Sequence, residues 1–489
     1  MKKSCYVLTV IILILLFFSA CGAEETPEPT PSPTPMPTPT PVLLPEAVEP
    51  GEPEGYVPVE MVGEDVITEE ERHRRWLVDL EQFSTHLFNT FPKFTFPELV
   101  ERERNVEMGI AFTAAIDALG AKVPELTDLE IKVEMQRALA LFRDGHTLFD
   151  AKGNGRDFIN TLRYNRYPLL FQWIYDGFYL LHTHRDFAEA INLQLVAVDG
   201  MEIERIFAIF DDFWSTENIY HARDIFTRFL MRPDMMNTLG VIDGRDAVFS
   251  FANPDGGTVD ITVTADYVFF DEAVWSRDWI HGENILHGRA AGALPLTHHY
   301  PEVNNWYAVL VEYNLLYIRI HGFWPFDWDF AQTFDDVEAT IRDNHIQRVV
   351  IDARGNGGGN LEPYSPHFHT IAEIVPAGGL FYLLDFGTFS AAAVAAAELY
   401  SLGAILMGSP SGQNTDFYAN AFDTGDAPYW TTLRYSGYTF AVPNRFHTLA
   451  DFGINPPDLI LRPHVHIEPT IDDWVNSHDP VLAYILQRH

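Results

Sequence analysis

Two junctions constrain this chain more than anything else in it. The first is QRVVIDARGNGGGN (Gln347–Asn360), an apolar run that ends in a glycine-rich turn. The second is DFGTFSAAAVAAAEL (Asp385–Leu399), where a short apolar run gives way to an alanine-rich helical stretch with Ser390 at its start. Each reads as a buried strand entering a turn and then a helix. From Trp306 onward the same alternation recurs. Strands are expected at Leu315–Ile320, Val349–Asp352, Leu380–Leu384 and Ala404–Met407. Helices are expected at Phe330–Ile341, Glu362–Val375 and Ser390–Leu402. Such alternation predicts crossover units and a largely parallel sheet, an α/β class fold.

Chemistry follows from the same two junctions. Ser390 sits where a helix N-terminus offers free N–H groups and positive potential, so it is a candidate nucleophile with the Ala391 N–H beside it. The competing reading is a plain helix cap. The turn Gly355-Asn356-Gly357-Gly358-Gly359 lets backbone approach backbone and aims N–H groups at one point, as an oxyanion requires. A phosphate loop is the other use of such a turn, but no lysine lies in or after it and the G-x-G-x-x-G spacing is absent. A base is still needed. No lysine follows Lys152, so a Ser–Lys pair within the C-terminal region is excluded and histidine must serve. His146, in D-G-H-T after a helical run, is the first candidate and His321 the second. The pairs His182/His184, His367/His369, His464/His466 and His298-His299 invite a zinc reading, but H-E-x-x-H is missing and no metal site is expected.

The rest of the chain frames this core. Met1-Lys2-Lys3 and the apolar run Tyr6–Phe18 read as an export signal, too short for a comfortable membrane span. It ends in F-S-A-C, which is similar to a bacterial lipoprotein cleavage box and would place a lipid on Cys21. An ordinary signal peptide or an uncleaved anchor are the alternatives. We expect a signal over 1–21 and a Pro/Thr-rich tether over 22–55. A helical region follows over 56–150, a mixed α+β region with a loop over 151–305, and the α/β core over 306–489. Capping boxes at Thr68/Glu71 and Thr127/Glu130 open two of the helices, and Gly145 is expected to stop the second of these. A further helix is expected over Pro97–Leu119. Asn192–Phe207 reads as strand, turn and helix, and Phe249–Ala265 as a hairpin. The only cysteines are Cys5 and Cys21, which excludes thiol catalysis and disulfides in the folded part. With 69 acidic against 32 basic residues, the surface repels nucleic acid and anionic membranes.

Taken together, D-G-H-T (Asp144–Thr147), D-A-R-G-N-G-G-G (Asp352–Gly359), T-F-S-A (Thr388–Ala391) and G-I-N-P-P-D (Gly453–Asp458) resemble, in order, the motifs of the tail-specific, or C-terminal-processing, serine peptidases. The resemblance is to the branch that uses a histidine base, as in the tricorn core protease. It implies a crotonase/Clp-protease-like catalytic core, an N-terminal helical region and a PDZ-like α+β module. It implies Ser390 as nucleophile, His146 as base, and Gly357 or Gly358 with Ala391 at the oxyanion. Asp451, the acid nearest the last motif, takes the place of the acid that orients the base. Ala393 stands where the family often has a glutamate, and Pro456-Pro457 adds a proline to the last motif. The activity implied is hydrolysis of unfolded or C-terminal polypeptide segments, without a cofactor, outside the cytoplasm on a lipid anchor at the outer face of a bacterial cell membrane. An inactive relative that binds peptide or a hydrophobic ligand, and a serine esterase, are the rival readings.

Overall fold

Thr68 opens the first ordered helix by accepting a hydrogen bond from the Glu71 N–H at 3.2 Å. The Glu71 carboxylate does not close the box; it turns outward to Arg74 and Arg75. The computed structural model describes residues 67–149, 166–264, 274–275, 280–281, 284–290, 294–300, 303–325, 330–420 and 430–488. The export signal, Cys21 and the tether lie outside the described residues. Among the described residues no helix is long and apolar enough to cross a membrane.

Three helices build the N-terminal layer: α1 (Glu69–Thr90), α2 (Glu103–Lys122) and α3 (Asp128–Ala140). At α3 both halves of the capping box form, Thr127 to the Glu130 N–H and Glu130 back to the Thr127 N–H, a device worth about 1 kcal/mol. Their apolar faces enclose Trp76, Phe83, Phe112 and Phe142. Phe440, from far along the chain, completes this core with its ring centroid 4.7 Å from that of Phe83. A short three-stranded sheet of Leu148–Phe149, Thr439–Ala441 and Trp430–Thr432 carries it there. The helical layer is therefore sealed by C-terminal residues.

The middle region is an antiparallel sheet of β1 (Leu169–Ile174), β2 (Gly177–His184), β3 (Gln194–Val198), β4 (Ala247–Ala252) and β5 (Thr258–Val263). The order is Ile285–His287, β2, β3, β4, β5, with β1 and Met201–Glu202 pairing at its sides. Helices α4 (Ile203–Phe213) and α5 (Ile219–Phe229) cover one face. The expected turn at Asp199-Gly200 and the hairpin β4–β5 are both present.

The C-terminal layer is the alternating region. Its sheet runs β6 (Asn305–Leu310), β7 (Leu315–Ile320), β8 (Arg348–Asp352), β9 (Leu380–Leu384), β10 (Ile405–Gly408) and β11 (Val465–His466). Only the edge strand β6 is antiparallel; every other pairing is parallel. Helices α6 (Phe330–Asp343), α7 (Ser365–Ile374) and α8 (Ala391–Ser401) form the crossovers. Strands β7 and β9 are buried along their whole length, as a sheet covered on both faces requires. All described residues belong to one compact unit. In open α/β sheets ligands sit outside the carboxyl ends of the strands, and here the loops after β8, β9 and β10 meet there.

Candidate active site

The loop after β8 is held by one buried side chain, Asn356. Its Oδ1 accepts the Gly358 N–H at 2.8 Å, and its Nδ2 donates to the Ile320 carbonyl at 3.3 Å. Its own carbonyl accepts the Phe389 N–H at 3.0 Å, tying the glycine turn to the loop that carries the serine. Asp385 adds a second tie, accepting from the N–H groups of Gly355 and Gly387. Gly358 has φ +105°, and a Cβ there would lie 2.7 Å from Ser390 Cβ and 3.0 Å from the Ala391 nitrogen. Only glycine lets the turn press this closely on the start of α8.

Ser390 occupies the first position of that helix with φ 53° and ψ −123°, and its side chain makes no capping bond. A non-glycine residue held there costs about 1–3 kcal/mol, and the strain turns Oγ out of the helix. Oγ lies 3.0 Å from His146 Nε2. His146 arrives from the N-terminal helical region, shortly after α3. The spacing predicts a helix running to Gly145, but α3 ends at Ala140, and Arg143 takes a left-handed φ of 47°. Ser215 then fixes the segment, donating to the Asp144 carbonyl at 2.8 Å and accepting its N–H at 3.0 Å. Gly145 is needed for space: a Cβ there would meet His221 Cε1 at 2.4 Å and Phe389 Cζ at 2.6 Å. The His146 ring stacks on Phe389 with centroids 4.8 Å apart.

Among the described residues no hydrogen bond or ion pair joins Asp451 to this histidine. Asp451 is exposed in a short 3₁₀ turn, Leu449–Phe452, on the far side of Thr448 from the strand that pairs with Asp416–Ala419. The carboxylates that face His146 are Asp144 and Glu217. Glu217 Oε1 lies 3.8 Å from His146 Nδ1. It is held by the Asn414 N–H at 2.9 Å, the Gly145 N–H at 3.4 Å and the Gln413 side-chain amide. Nothing in the S-T-E-N sequence around Glu217 marks it. It lies between α4 and α5 and matters only because the loop after β10 docks on it. Among the described residues, Asp144, His146 and Glu217 are also the group whose atoms come close enough to hold a metal ion. The histidine pairs singled out in the sequence are otherwise engaged: His182 with His287, His367 with Glu338, His464 with the Leu406 N–H, and His466 with Glu468. His321 lines a cavity of about 390 Å³, with Arg319 and Trp474, that reaches the turn and serine-loop residues Gly355, Asp385 and Gly387.

Of the expected oxyanion donors, the Gly358 N–H is already taken by Asn356. Gly357 is exposed, and among the described residues neither its N–H nor that of Ala391 has an acceptor. These two remain available.

Burial dominates the electrostatics. It pushes Glu217 up to about 7, against the pull of the Asn414 N–H and the Gln413 amide, and pushes Asp144 up to about 6. Burial lowers His146, with the Asp144 charge opposing, so the imidazole is neutral at physiological pH. Lys93 lies among Phe91, Phe142 and Tyr418, donates to the Phe142 carbonyl at 2.6 Å, and is brought down to about 8 by burial. Two trends with pH follow. With Glu217 as the charged partner of a catalytic His146, the rate would rise as pH climbs through about 7 and then level off. Stability runs the other way. A carboxyl raised in the fold binds more protons than in the unfolded chain, so its contribution is lost between the ordinary value of 4.5 and about 7. A rate profile and thermal melts over pH 5–8 check both signs.

No protein-family model matches the chain, and no curated protein matches it. Among solved structures, mature CPAF superposes with a TM-score of 0.52 at 12% identity, over 85% of this chain and 96% of its own. A mutant form of CPAF gives 0.51 at 11% identity, over 82% and 94%. A photosystem II D1 C-terminal processing protease aligns over 83% of this chain and 94% of its own at 15% identity, but its TM-score of 0.38 carries no argument. At such identities the likeness is one of architecture: this chain is similar in fold to mature CPAF.

Proposed function

We propose that the chain is a serine peptidase that cuts unfolded or C-terminal polypeptide segments through an acyl-enzyme on Ser390. The observation that carries this is the 3.0 Å approach of His146 Nε2 to Ser390 Oγ, made by a serine whose strained backbone keeps it from capping its own helix. Ser390 Oγ attacks the peptide carbonyl and its proton passes to Nε2. For Nε2 to accept it, the ring proton must sit on Nδ1, the nitrogen that faces Glu217. Glu217 then stabilises the imidazolium. The carbonyl oxygen, now negative, lies toward the N–H groups of Gly357 and Ala391, each worth roughly 10²–10³ in rate. Collapse expels the amine, which takes the proton back from Nε2. Water repeats the sequence on the ester and frees Ser390.

The same proposal places the chain with the tail-specific peptidases of the histidine branch, with a crotonase/Clp-like core and a PDZ-like middle region. Its support is the order of the four motifs together with the fold shared with CPAF. Export, a lipid on Cys21 and a site outside the cytoplasm belong to it too, and rest on the sequence of the first segment.

The test is to expose the full chain to a fluorophosphonate and to a denatured protein. Covalent labelling mapped to Ser390, with fragments from the protein substrate, is the expected result. Labelling with turnover of simple esters only makes it an esterase. Absence of both labelling and cleavage makes it a binding relative.

A further inference from the structure

Gln413 is fully buried and its amide joins the two halves of the site. Its Oε1 accepts the Ser390 N–H at 2.8 Å, and its Nε2 donates to Glu217 Oε2. Its own N–H donates to Ser411 Oγ at 3.0 Å, and that hydroxyl donates to the Thr388 carbonyl at 2.6 Å. The loop after β10 is thus fastened twice to the serine loop, and to the acid through both Gln413 and Asn414. We infer that Gln413 is a positioning residue that sets the nucleophile and the acid in one frame. The inference rests on Ser390 being the nucleophile.

Three features require an amide of this length. Ser390 is held at φ 53°, and its N–H lies before the first turn of α8, where no helical carbonyl can accept it. Gln413 Oε1 takes that N–H and so holds the strained turn. It also withdraws the Ser390 N–H from the substrate oxygen, which leaves the oxyanion to Gly357 and Ala391. At the other end, Nε2 binds Glu217 Oε2, so that Oε1 is the oxygen presented to His146 Nδ1. Only one orientation of the amide satisfies both ends, because the Ser390 N–H needs an acceptor and the carboxylate needs a donor. A lysine would lack the acceptor. A methionine would lack both and leave a buried N–H unpaired.

The other charged or titratable groups packed around Glu217 and His146 are Asp144, Lys93, His221 and His447. None of them bonds to Ser390.

The experiment compares the full-length wild type with Gln413→Met and Gln413→Glu, all checked for folding by thermal melting. kcat and KM are read on one peptide substrate, and the titration of the His146 ring is read by NMR. For Gln413→Met the expected result is a kcat lower by about 10²-fold with KM within about twofold, because misplacing the reacting groups by about an ångström costs that much. The His146 midpoint should also move. Gln413→Glu keeps an acceptor for the Ser390 N–H but donates to Glu217 only when protonated. Its activity should therefore fall as pH rises beyond the range in which the new carboxyl is protonated, a falling limb the wild type lacks. Folded variants with unchanged kcat and unchanged His146 titration overturn the inference, as does a change in KM alone. Should the wild type cut no peptide, the peptidase reading fails, and the His146 titration still decides whether Gln413 governs the Glu217–His146 pair.

Discussion

Ser390→Ala and His146→Ala each lower kcat on a denatured protein substrate by about 10⁴–10⁶-fold, and the double variant is no worse than either alone. The magnitude follows from the two residues acting as one unit: without the base the serine is a weak nucleophile, and without the serine the base has nothing to activate. KM is expected to change little, since neither side chain need hold the ground-state substrate. The alanine at 390 keeps the same backbone cost and removes only the hydroxyl. The alanine at 146 leaves a gap beside Phe389 and Phe417, whose rings flank the imidazole, so its melting temperature should fall even where its fold is intact. Residual activity within tenfold of wild type in either variant would remove that residue from the mechanism.

Glu217→Gln lowers kcat by roughly 10³–10⁴-fold, whereas Asp451→Asn leaves it within about twofold. The glutamate presents one oxygen to His146 and the other to Gln413 and the Asn414 N–H. An amide has one acceptor oxygen. Turned toward Gln413 and the Asn414 N–H, its NH₂ sets donor against donor; turned toward Nδ1, it disfavours the ring tautomer in which Nε2 accepts a proton; in neither case is there a charge to stabilise the imidazolium. Asp451 is exposed and touches none of these groups. Asp144→Asn completes the series. If it is the severe variant and Glu217→Gln is mild, the acid is Asp144 and the role assigned to Glu217 is wrong.

The parallel core was legible because each strand is apolar through its length and each is followed by a turn and an amphipathic helix. Leu315–Ile320 and Leu380–Leu384 have the predicted bounds. Ser390 and His146 were legible because each sits in a short motif at a chain junction. Glu217 was not, since its position is set by hydrogen bonds from Gln413 and Asn414, 196 and 197 residues away. No local pattern records such a contact. Gly145 shows a subtler failure: glycine after a helix suggests a stop, but α3 has already ended and the residue is small because His221 and Phe389 crowd it. Gly358 was expected to offer its N–H, yet the neighbouring Asn356 claims it, a choice fixed by burial of the asparagine.

Ser390 and His146 are separated by 244 residues, and Glu217 comes from the same early part of the chain as His146. During synthesis from the N-terminus, His146 and Glu217 therefore emerge long before Ser390. The loop bearing Gln413 and the strand bearing Phe440 emerge later still. Phe440 seals the helical layer from which His146 projects, so that layer is complete only when the strand bearing Phe440 has been made and folded. A growing chain therefore cannot bring Ser390 and His146 into their final arrangement until the segments bearing Gln413 and Phe440 have emerged.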